Sequence, residues 1–140
     1  MEGYCGRERS EVFDADGWYA TGDLFRVDEA GLHYFLGRRG DMIKIAGANV
    51  SPREVEAALA DCGLRSHVVG LADTERGEHV AAAIVSDEPV DVEALAARLR
   101  ERLSSYKLPR TFLVLSEKEV PTLSSGKLDA RALKELFDGR

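Results

Sequence analysis

The chain has 140 residues, of which 44% are hydrophobic and 31% are charged, and this composition excludes an intrinsically disordered polypeptide. Its 19 Lys and Arg residues stand against 25 Asp and Glu residues, a net charge of −6. That balance argues against general binding of nucleic acid or of acidic membranes, because both need a basic protein surface.

The two cysteines and the N-terminal residues predict a cytoplasmic protein. Cys5 and Cys62 have neither the number nor the spacing of a disulfide framework or a metal site, so we expect free, buried thiols in a reducing compartment. The first ten residues contain no apolar run, which predicts that there is no secretory signal. No apolar run approaches the roughly 18 residues that a membrane span needs.

Two short apolar runs near the N-terminus predict a β-hairpin. Residues 25–27 and 32–36 flank a turn that contains Asp and Gly, which is the pattern of two antiparallel strands. The polar residues 1–16 show no periodicity, and we expect a loose arm there. The hairpin is followed by Gly37-Arg38-Arg39-Gly40, a basic segment whose two glycines predict flexibility.

After Gly40 the pattern changes to alternating strands and helices. Residues 42–45 predict a strand, and the next three, Gly47-Ala48-Asn49, predict a turn. The segment Ser51-Pro52-Arg53-Glu54 then predicts a helix that begins with a capping box. Gly63 is expected to end this helix.

The remaining residues predict a compact mixed fold. Residues 67–71 and 79–85 are neighbouring strands, Asp91 begins a second helix, residues 111–115 form another strand, and Asp129 caps a last helix. The order β-α-β-β-α-β-α predicts the α+β class. We expect a small two-layer domain with a short sheet, about three main strands plus the hairpin, packed with about three helices.

Four segments carry side chains or backbone groups suited to ligand binding. They contain Asp23, Arg38, the turn at residues 47–49, and Lys127. A carboxylate can accept hydrogen bonds from a ribose diol, an arginine pairs with phosphate, amides at a helix start bind anions, and an exposed lysine stabilises a phosphate or carboxylate. The structural alternatives are a turn acid, a solvated basic loop, a capped helix and a solvated turn lysine. The lysine segment is not a P-loop, because Leu128 follows the lysine.

Taken in order, these segments resemble one enzyme superfamily. The motifs are YATGDL, GRRGDMIKIAGANVSPREVE, SYKLPR and PTLSSGKLD. Together they are similar to the C-terminal portion of the adenylate-forming superfamily, which contains acyl-CoA synthetases, nonribosomal-peptide adenylation domains and beetle luciferases. The resemblance runs from about Gly3 to the C-terminus, and within the superfamily it is closest to fatty-acyl or other carboxylate CoA ligases.

The resemblance implies a two-step reaction that uses ATP, Mg²⁺ and CoA. A carboxylate attacks the α-phosphate of ATP to give an acyl-adenylate and pyrophosphate, and the CoA thiol then displaces AMP. The match assigns Asp23 to the ribose hydroxyls, Arg38 to ribose and phosphate, and Lys127 to adenylation as a mobile lysine. It assigns the CoA-dependent step to a segment that contains Lys44, Gly47, Ala48 and Asn49.

The resemblance also implies a domain organisation. Residues 1–37 match the end of a large N-terminal domain, residues 38–40 a hinge, and residues 41–140 a C-terminal lid domain. The family often has Asp or Lys where this chain has Gly40, so any stabilisation of the hinge by a side chain falls to Arg39 or Asp41. We expect the large domain, which would hold most of the ATP and Mg²⁺ site and the acyl pocket, to be missing, and the chain alone to be inactive.

The missing domain is the first expected partner. Without that domain, five aromatic side chains are expected to become disordered, fold onto the lid or drive self-association: Trp18, Tyr19, Phe25, Tyr34 and Phe35.

Two other interpretations of the function stay open. One alternative is a lid that loads a carrier protein, which a downstream carrier domain would reveal. The other is a binding or assembly module without catalysis, which has no chemical need for Asp23, Arg38 and Lys127 together.

Overall fold

The structure is a computed structural model that describes residues 5–139 and divides after Gly40 into two compact units. The terminal positions of the predicted domain ranges, residues 1–4 and 140, lie outside the described residues. No helix within residues 5–139 is both long enough and apolar enough to cross a bilayer. Both cysteines are free, but Cys5 is exposed and Cys62 is only partly buried, so the prediction of a buried thiol is wrong for Cys5 and holds only in part for Cys62.

The first unit is built on the predicted β-hairpin. Strand β1 (Asp23–Val27) pairs antiparallel with β2 (His33–Arg38), and a short helix α1 (Arg9–Val12) lies where the sequence predicts a loose arm. Asp28 organises the connecting turn, because its carboxylate accepts hydrogen bonds from the backbone N–H groups of Ala30 and Leu32 and from the Tyr34 hydroxyl. These bonds, the one from Leu32 first, lower the pKa of Asp28.

Large apolar side chains of the first unit are exposed. Trp18 is 77% exposed and Phe25 is 50% exposed, and Tyr19, Tyr34 and Phe35 are also exposed. The rings of Phe25 and Phe35 meet edge to face at 5.4 Å between centroids. A two-stranded hairpin cannot bury both of its faces alone, and these apolar side chains therefore remain at its surface.

The second unit contains a five-stranded mixed sheet. Its strands are β3 (Ile43–Ile45), β4 (Ala48–Val50), β5 (Arg65–Asp73), β6 (Gly77–Val85) and β7 (Thr111–Leu115). The central strand β6 pairs antiparallel with β5 over nine residue pairs and parallel with β7. At its start it also pairs with β3, and β4 forms a hairpin with β3 at the edge of the sheet.

Helices α2 (Pro52–Ala60), α3 (Val92–Arg100) and α4 (Ala130–Asp138) cover both faces of this sheet. Leu59 of α2 and Leu99 of α3 pack with Ile84 on one face, whereas Leu133 of α4 packs with Ala83 on the other. Because side chains alternate along a strand, a strand buried on both faces is apolar throughout, as β6 is from residue 80 to residue 84. The α+β class is confirmed, and α4 adds a third layer to the two that the sequence predicts.

The helix ends follow the predicted capping residues with one exception. Asp91 and Asp129 accept backbone N–H groups at the starts of α3 and α4, and Gly63, with φ of +83°, follows the end of α2. The predicted capping box at Ser51 and Glu54 is wrong, because the Ser51 side chain makes no cap hydrogen bond. Glu54 accepts a 2.6 Å hydrogen bond from Lys107 instead, and this bond raises the pKa of Lys107.

Candidate functional site

The predicted nucleotide-binding residues Asp23 and Arg38 lie opposite each other on β1 and β2. Arg38 Nε donates a hydrogen bond of 3.1 Å to Asp23 Oδ1, although the two residues are 15 positions apart in the chain. The Arg38 side chain is 67% exposed although it makes this bond. The structure thus brings together a carboxylate and a guanidinium at the end of one hairpin.

A β-bulge in this hairpin sets the pairing of Asp23 with Arg38. Leu24 lies opposite Gly37 while Phe25 lies opposite Phe35, so Leu36 is the extra residue of the bulge. Gly37 has φ of +142°, a conformation that glycine adopts readily. Because one extra residue reverses the alternation of the side chains that follow, the bulge determines on which side of the sheet Arg38 lies.

The predicted hinge residues Arg39, Gly40 and Asp41 form one 3₁₀ turn, and the boundary between the two units falls within it. Gly40 does not have a positive φ, and a Cβ atom added to it would meet nothing within 4 Å. Neither backbone strain nor packing therefore requires glycine at this position. What glycine contributes there is conformational freedom of the backbone.

The residues predicted to serve the CoA-dependent step lie together on the hairpin of β3 and β4. Lys44 lies on β3 opposite Asn49 on β4, and Ile45 pairs with Ala48. The connecting turn contains only two residues, Ala46 and Gly47, with φ of +48° and +86°. The prediction of a turn over residues 47–49 is therefore wrong for Ala48 and Asn49, because a tight turn with two positive φ angles lets pairing begin at once.

Replacement of Ala46 by Gly is expected to stabilise the chain by about 0.5–1 kcal/mol, because an alanine with positive φ carries a strain that glycine lacks. Urea unfolding of the 140-residue chain measures this change. The control is Ala57→Gly in the exposed part of helix α2, which is expected to destabilise by about 1 kcal/mol. Destabilisation by both substitutions would contradict a strained Ala46.

Lys127 lies on a short hairpin of residues 122–128, whose two arms are joined by backbone hydrogen bonds. The N–H of Leu123 donates to the carbonyl of Lys127, the N–H of Gly126 donates to the carbonyl of Leu123, both at 2.8 Å, and Thr122 pairs with Leu128. Gly126 has φ of +77°, as a three-residue hairpin loop with a glycine bulge requires. The Lys127 side chain is exposed, while its backbone is held in a defined turn.

Residues 73–78, where β5 ends and β6 begins, contain an organised cluster of hydrogen bonds. The Asp73 carboxylate accepts from the backbone N–H groups of Glu75 and Arg76 and from the Arg110 guanidinium, the latter at 3.1 Å. The N–H of Glu75, followed by that of Arg76, lowers the pKa of Asp73. An Asp at the start of a turn is a local signal for such bonds, but Arg110 lies 37 residues away.

Comparison with known proteins matches the model of the AMP-binding enzyme C-terminal domain to residues 54–127. The chain is 38% identical over 136 residues to a 2-succinylbenzoate–CoA ligase of Bacillus licheniformis, covering 91% of the chain and 27% of that protein. It is 38% identical over 140 residues to a long-chain-fatty-acid–CoA ligase of Bacillus subtilis, covering 96% of the chain and 25% of that protein.

Among solved structures, the chain is similar to an o-succinylbenzoate CoA synthetase of Bacillus subtilis in complex with its acyl-adenylate intermediate. The TM-score is 0.84 at 36% identity, and the match covers 96% of this chain and 28% of that structure. The chain thus spans about a quarter of the length of the curated relatives that it matches.

Proposed function

Because the chain belongs to the AMP-binding enzyme C-terminal domain family, we propose that it is the C-terminal lid of an ATP-dependent acid–thiol ligase. In the first step, a carboxylate oxygen bonds to the α-phosphorus of ATP and pyrophosphate leaves. In the second step, the CoA sulfur bonds to the acyl carbon of the adenylate, AMP leaves, and the thiol proton is released. The relatives named above are CoA ligases, and this supports the assignment.

The pair of Asp23 and Arg38 is the observation that carries the proposal. Arg38 engages one oxygen of the Asp23 carboxylate, and a carboxylate has about four lone-pair sites, so capacity remains for the two hydroxyls of a ribose. The exposed guanidinium has donors in a planar fork that matches phosphate oxygens. A nucleotide presents a ribose diol and a phosphate close together, as this pair requires.

In this proposal, Lys127 serves the first step and the β3–β4 hairpin serves the second. An exposed ammonium group is suited to offset the repulsion between a carboxylate and the phosphates of ATP. We assign Lys44, Gly47, Ala48 and Asn49 to the step in which CoA attacks. A rotation at Arg39, Gly40 and Asp41 would present the two hairpins in turn, and the conformational freedom of Gly40 supports such a hinge.

We further propose that a preceding N-terminal domain covers the exposed aromatic side chains of the first unit and holds most of the ATP site. We assign the Mg²⁺ ion of the reaction to that preceding domain as well, together with most of the ATP site. The chain is 38% identical to ligases of two different acids, which indicates that it contains residues that both ligases use whatever the acid. We therefore place selection of the acid in the preceding domain.

The test is a pair of assays on the full-length protein that contains this chain. Pyrophosphate release is measured with ATP and a panel of acids, namely fatty acids of several lengths and 2-succinylbenzoate, without CoA. Acyl thioester formation is then measured with CoA and with carrier proteins as acceptors. We expect acid-dependent pyrophosphate release and transfer to CoA.

The other outcomes distinguish the alternatives. Transfer to a carrier protein but not to CoA would favour an adenylation domain that loads a carrier. Absence of acid-dependent pyrophosphate release with every acid would contradict the ligase and favour a binding or assembly module. The 140-residue chain serves as a control and is expected to catalyse neither step.

A further inference from the structure

We propose that Glu78 is a positioning residue for the CoA-dependent step, because it holds in place the strand that carries Lys44. This inference rests on the proposed function of the β3–β4 hairpin. It concerns a residue outside the four motifs that carry the family resemblance.

The contact that motivates the proposal joins a side chain to a backbone group across the sheet. Glu78 Oε2 accepts a hydrogen bond of 2.7 Å from the backbone N–H of Lys44, 34 residues earlier in the chain. Within the described residues, β3 pairs with β6 at a single position, Ile45 opposite Gly77. The carboxylate therefore continues the bonding between the two strands at the point where their backbones stop pairing.

The absence of a side chain at Gly70 leaves the space that the Glu78 carboxylate occupies. A Cβ atom on Gly70 would lie 2.9 Å from Glu78 Oε1 and 2.9 Å from Ile43 Cγ2. Real Cβ atoms do not approach other atoms this closely, so any larger residue at position 70 must displace the Glu78 carboxylate, Ile43 or both. The missing side chain of Gly70 thus leaves room for the Glu78 carboxylate to lie against β3.

The neighbouring turn adds a second attachment to the same hairpin. The N–H of Ala46 donates to the carbonyl of Arg76 at 2.8 Å, and Asp73 in turn binds the N–H of Arg76. Ala46 has a strained positive φ, and such strain persists only where the surrounding structure imposes it. The segment from Asp73 to Glu78 therefore acts as a clamp on the β3–β4 hairpin.

The clamp has a consequence for one half-reaction and not for the other. Lys44, Gly47, Ala48 and Asn49 lie on the clamped hairpin, whereas Lys127 lies on a hairpin whose closing hydrogen bonds come from residues 122–128. A displacement of about 1 Å in a reactive group lowers rates strongly. Release of the clamp is therefore expected to slow thioester formation and to spare adenylate formation.

The experiment compares Glu78→Ala with Glu78→Gln in the full-length ligase. Glu78→Ala is expected to lower the rate of thioester formation from supplied acyl-adenylate and CoA about tenfold, because the Lys44 N–H loses its acceptor. Glu78→Gln keeps an amide oxygen in place and is expected to retain activity within about threefold. Adenylate formation, measured as acid-dependent pyrophosphate release, is expected to change less than about twofold in both variants.

Two further variants and one structural measurement complete the test. Glu75→Ala removes an exposed carboxylate from the same turn and is expected to change neither step. Gly70→Ala, which displaces Glu78 without removing its charge, is expected to reproduce the selective loss, and its melting temperature reports whether the fold persists. Faster amide hydrogen exchange at Lys44 in Glu78→Ala would report the lost bond independently of activity.

The outcomes separate this inference from the proposed function. A wild-type protein that forms no adenylate contradicts the proposed function. An active wild type in which Glu78→Ala slows both half-reactions equally, or leaves thioester formation unchanged, overturns the positioning role alone. Unchanged amide exchange at Lys44 in Glu78→Ala would also overturn it.

Discussion

If the proposed ligase function is correct, replacement of Lys127 by Ala in the full-length protein is expected to lower the rate of acyl-adenylate formation by about 10²–10³-fold, the effect of removing one positioned charge from a transition state. Thioester formation from supplied acyl-adenylate and CoA is expected to stay within about twofold of wild type. Acid-dependent pyrophosphate release measures the first step, and CoA-dependent AMP release from supplied adenylate measures the second.

The selectivity follows from charge. In the first step a carboxylate approaches a polyanion, and a positive group at the α-phosphate lowers the energy of the crowded negative transition state. In the second step the attacked atom is a carbonyl carbon and pyrophosphate has already left, so less negative charge needs an ammonium group. Because the backbone of Lys127 is held in a hydrogen-bonded turn, we expect the cation to reach its target by movement of the whole hairpin.

Two lysine variants control this experiment. Lys118→Ala removes another exposed lysine and is expected to leave both rates unchanged, which separates a local effect from a change in net charge. Lys127→Arg keeps the charge but alters its shape, and we expect a partial loss of adenylation. Equal loss of both half-reactions in Lys127→Ala, or loss in neither, would contradict the assignment of Lys127 to adenylation.

Replacement of Leu133 by Ala is expected to lower the free energy of unfolding by about 2–5 kcal/mol, the usual range for a large core side chain. Leu133 is fully buried and attaches α4 to the sheet together with Phe137. The deletion removes apolar contacts and leaves a cavity that a packed sheet cannot close. Urea unfolding of the 140-residue chain measures the change.

Leu136 on the same helix provides the matched control. It is only half-buried, so Leu136→Ala is expected to cost clearly less, about 1–2 kcal/mol. Equal costs for the two substitutions would contradict the packing described for α4. Because Leu128, next to Lys127, packs on the same cluster and the Asp129 N–H donates to the Pro121 carbonyl, the loss of Leu133 is also expected to loosen the attachment of the hairpin that carries Lys127.

Local signals in the sequence predicted most secondary-structure elements. The caps at Asp91 and Asp129 and the glycine stop at Gly63 depend on neighbours within a few residues, so propensity and spacing suffice to find them. The capping box at Ser51 is absent, and Glu54 bonds instead to Lys107, 53 residues away, a partner that no local rule reveals. The third layer was missed because a periodic helix does not show which face of a sheet it covers.

The same distinction applies to the candidate site. The order of the motifs predicted which residues serve the same step, namely Asp23 with Arg38 and Lys44 with residues 47–49. The bulge at Leu36 that pairs Asp23 with Arg38, and the two-residue turn at Ala46 and Gly47, depend on strand register. Register is set by pairing across a sheet, and the order of residues along one strand does not specify it.

The sequence by itself therefore predicted the α+β class, because that class follows from periodicity, and it predicted the family and the candidate site residues through the resemblance of ordered motifs. Tertiary structure alone decided that Glu78 binds Lys44, that Gly70 leaves it room, and that Asp73 holds Arg110. The two hydrogen bonds join residues 34 and 37 positions apart, and the contact of Gly70 with Glu78 depends on the pairing of β5 with β6, so each needs the packed sheet. The physical reason is that a hydrogen bond or a steric contact extends over a few ångströms in space, whatever the separation along the chain.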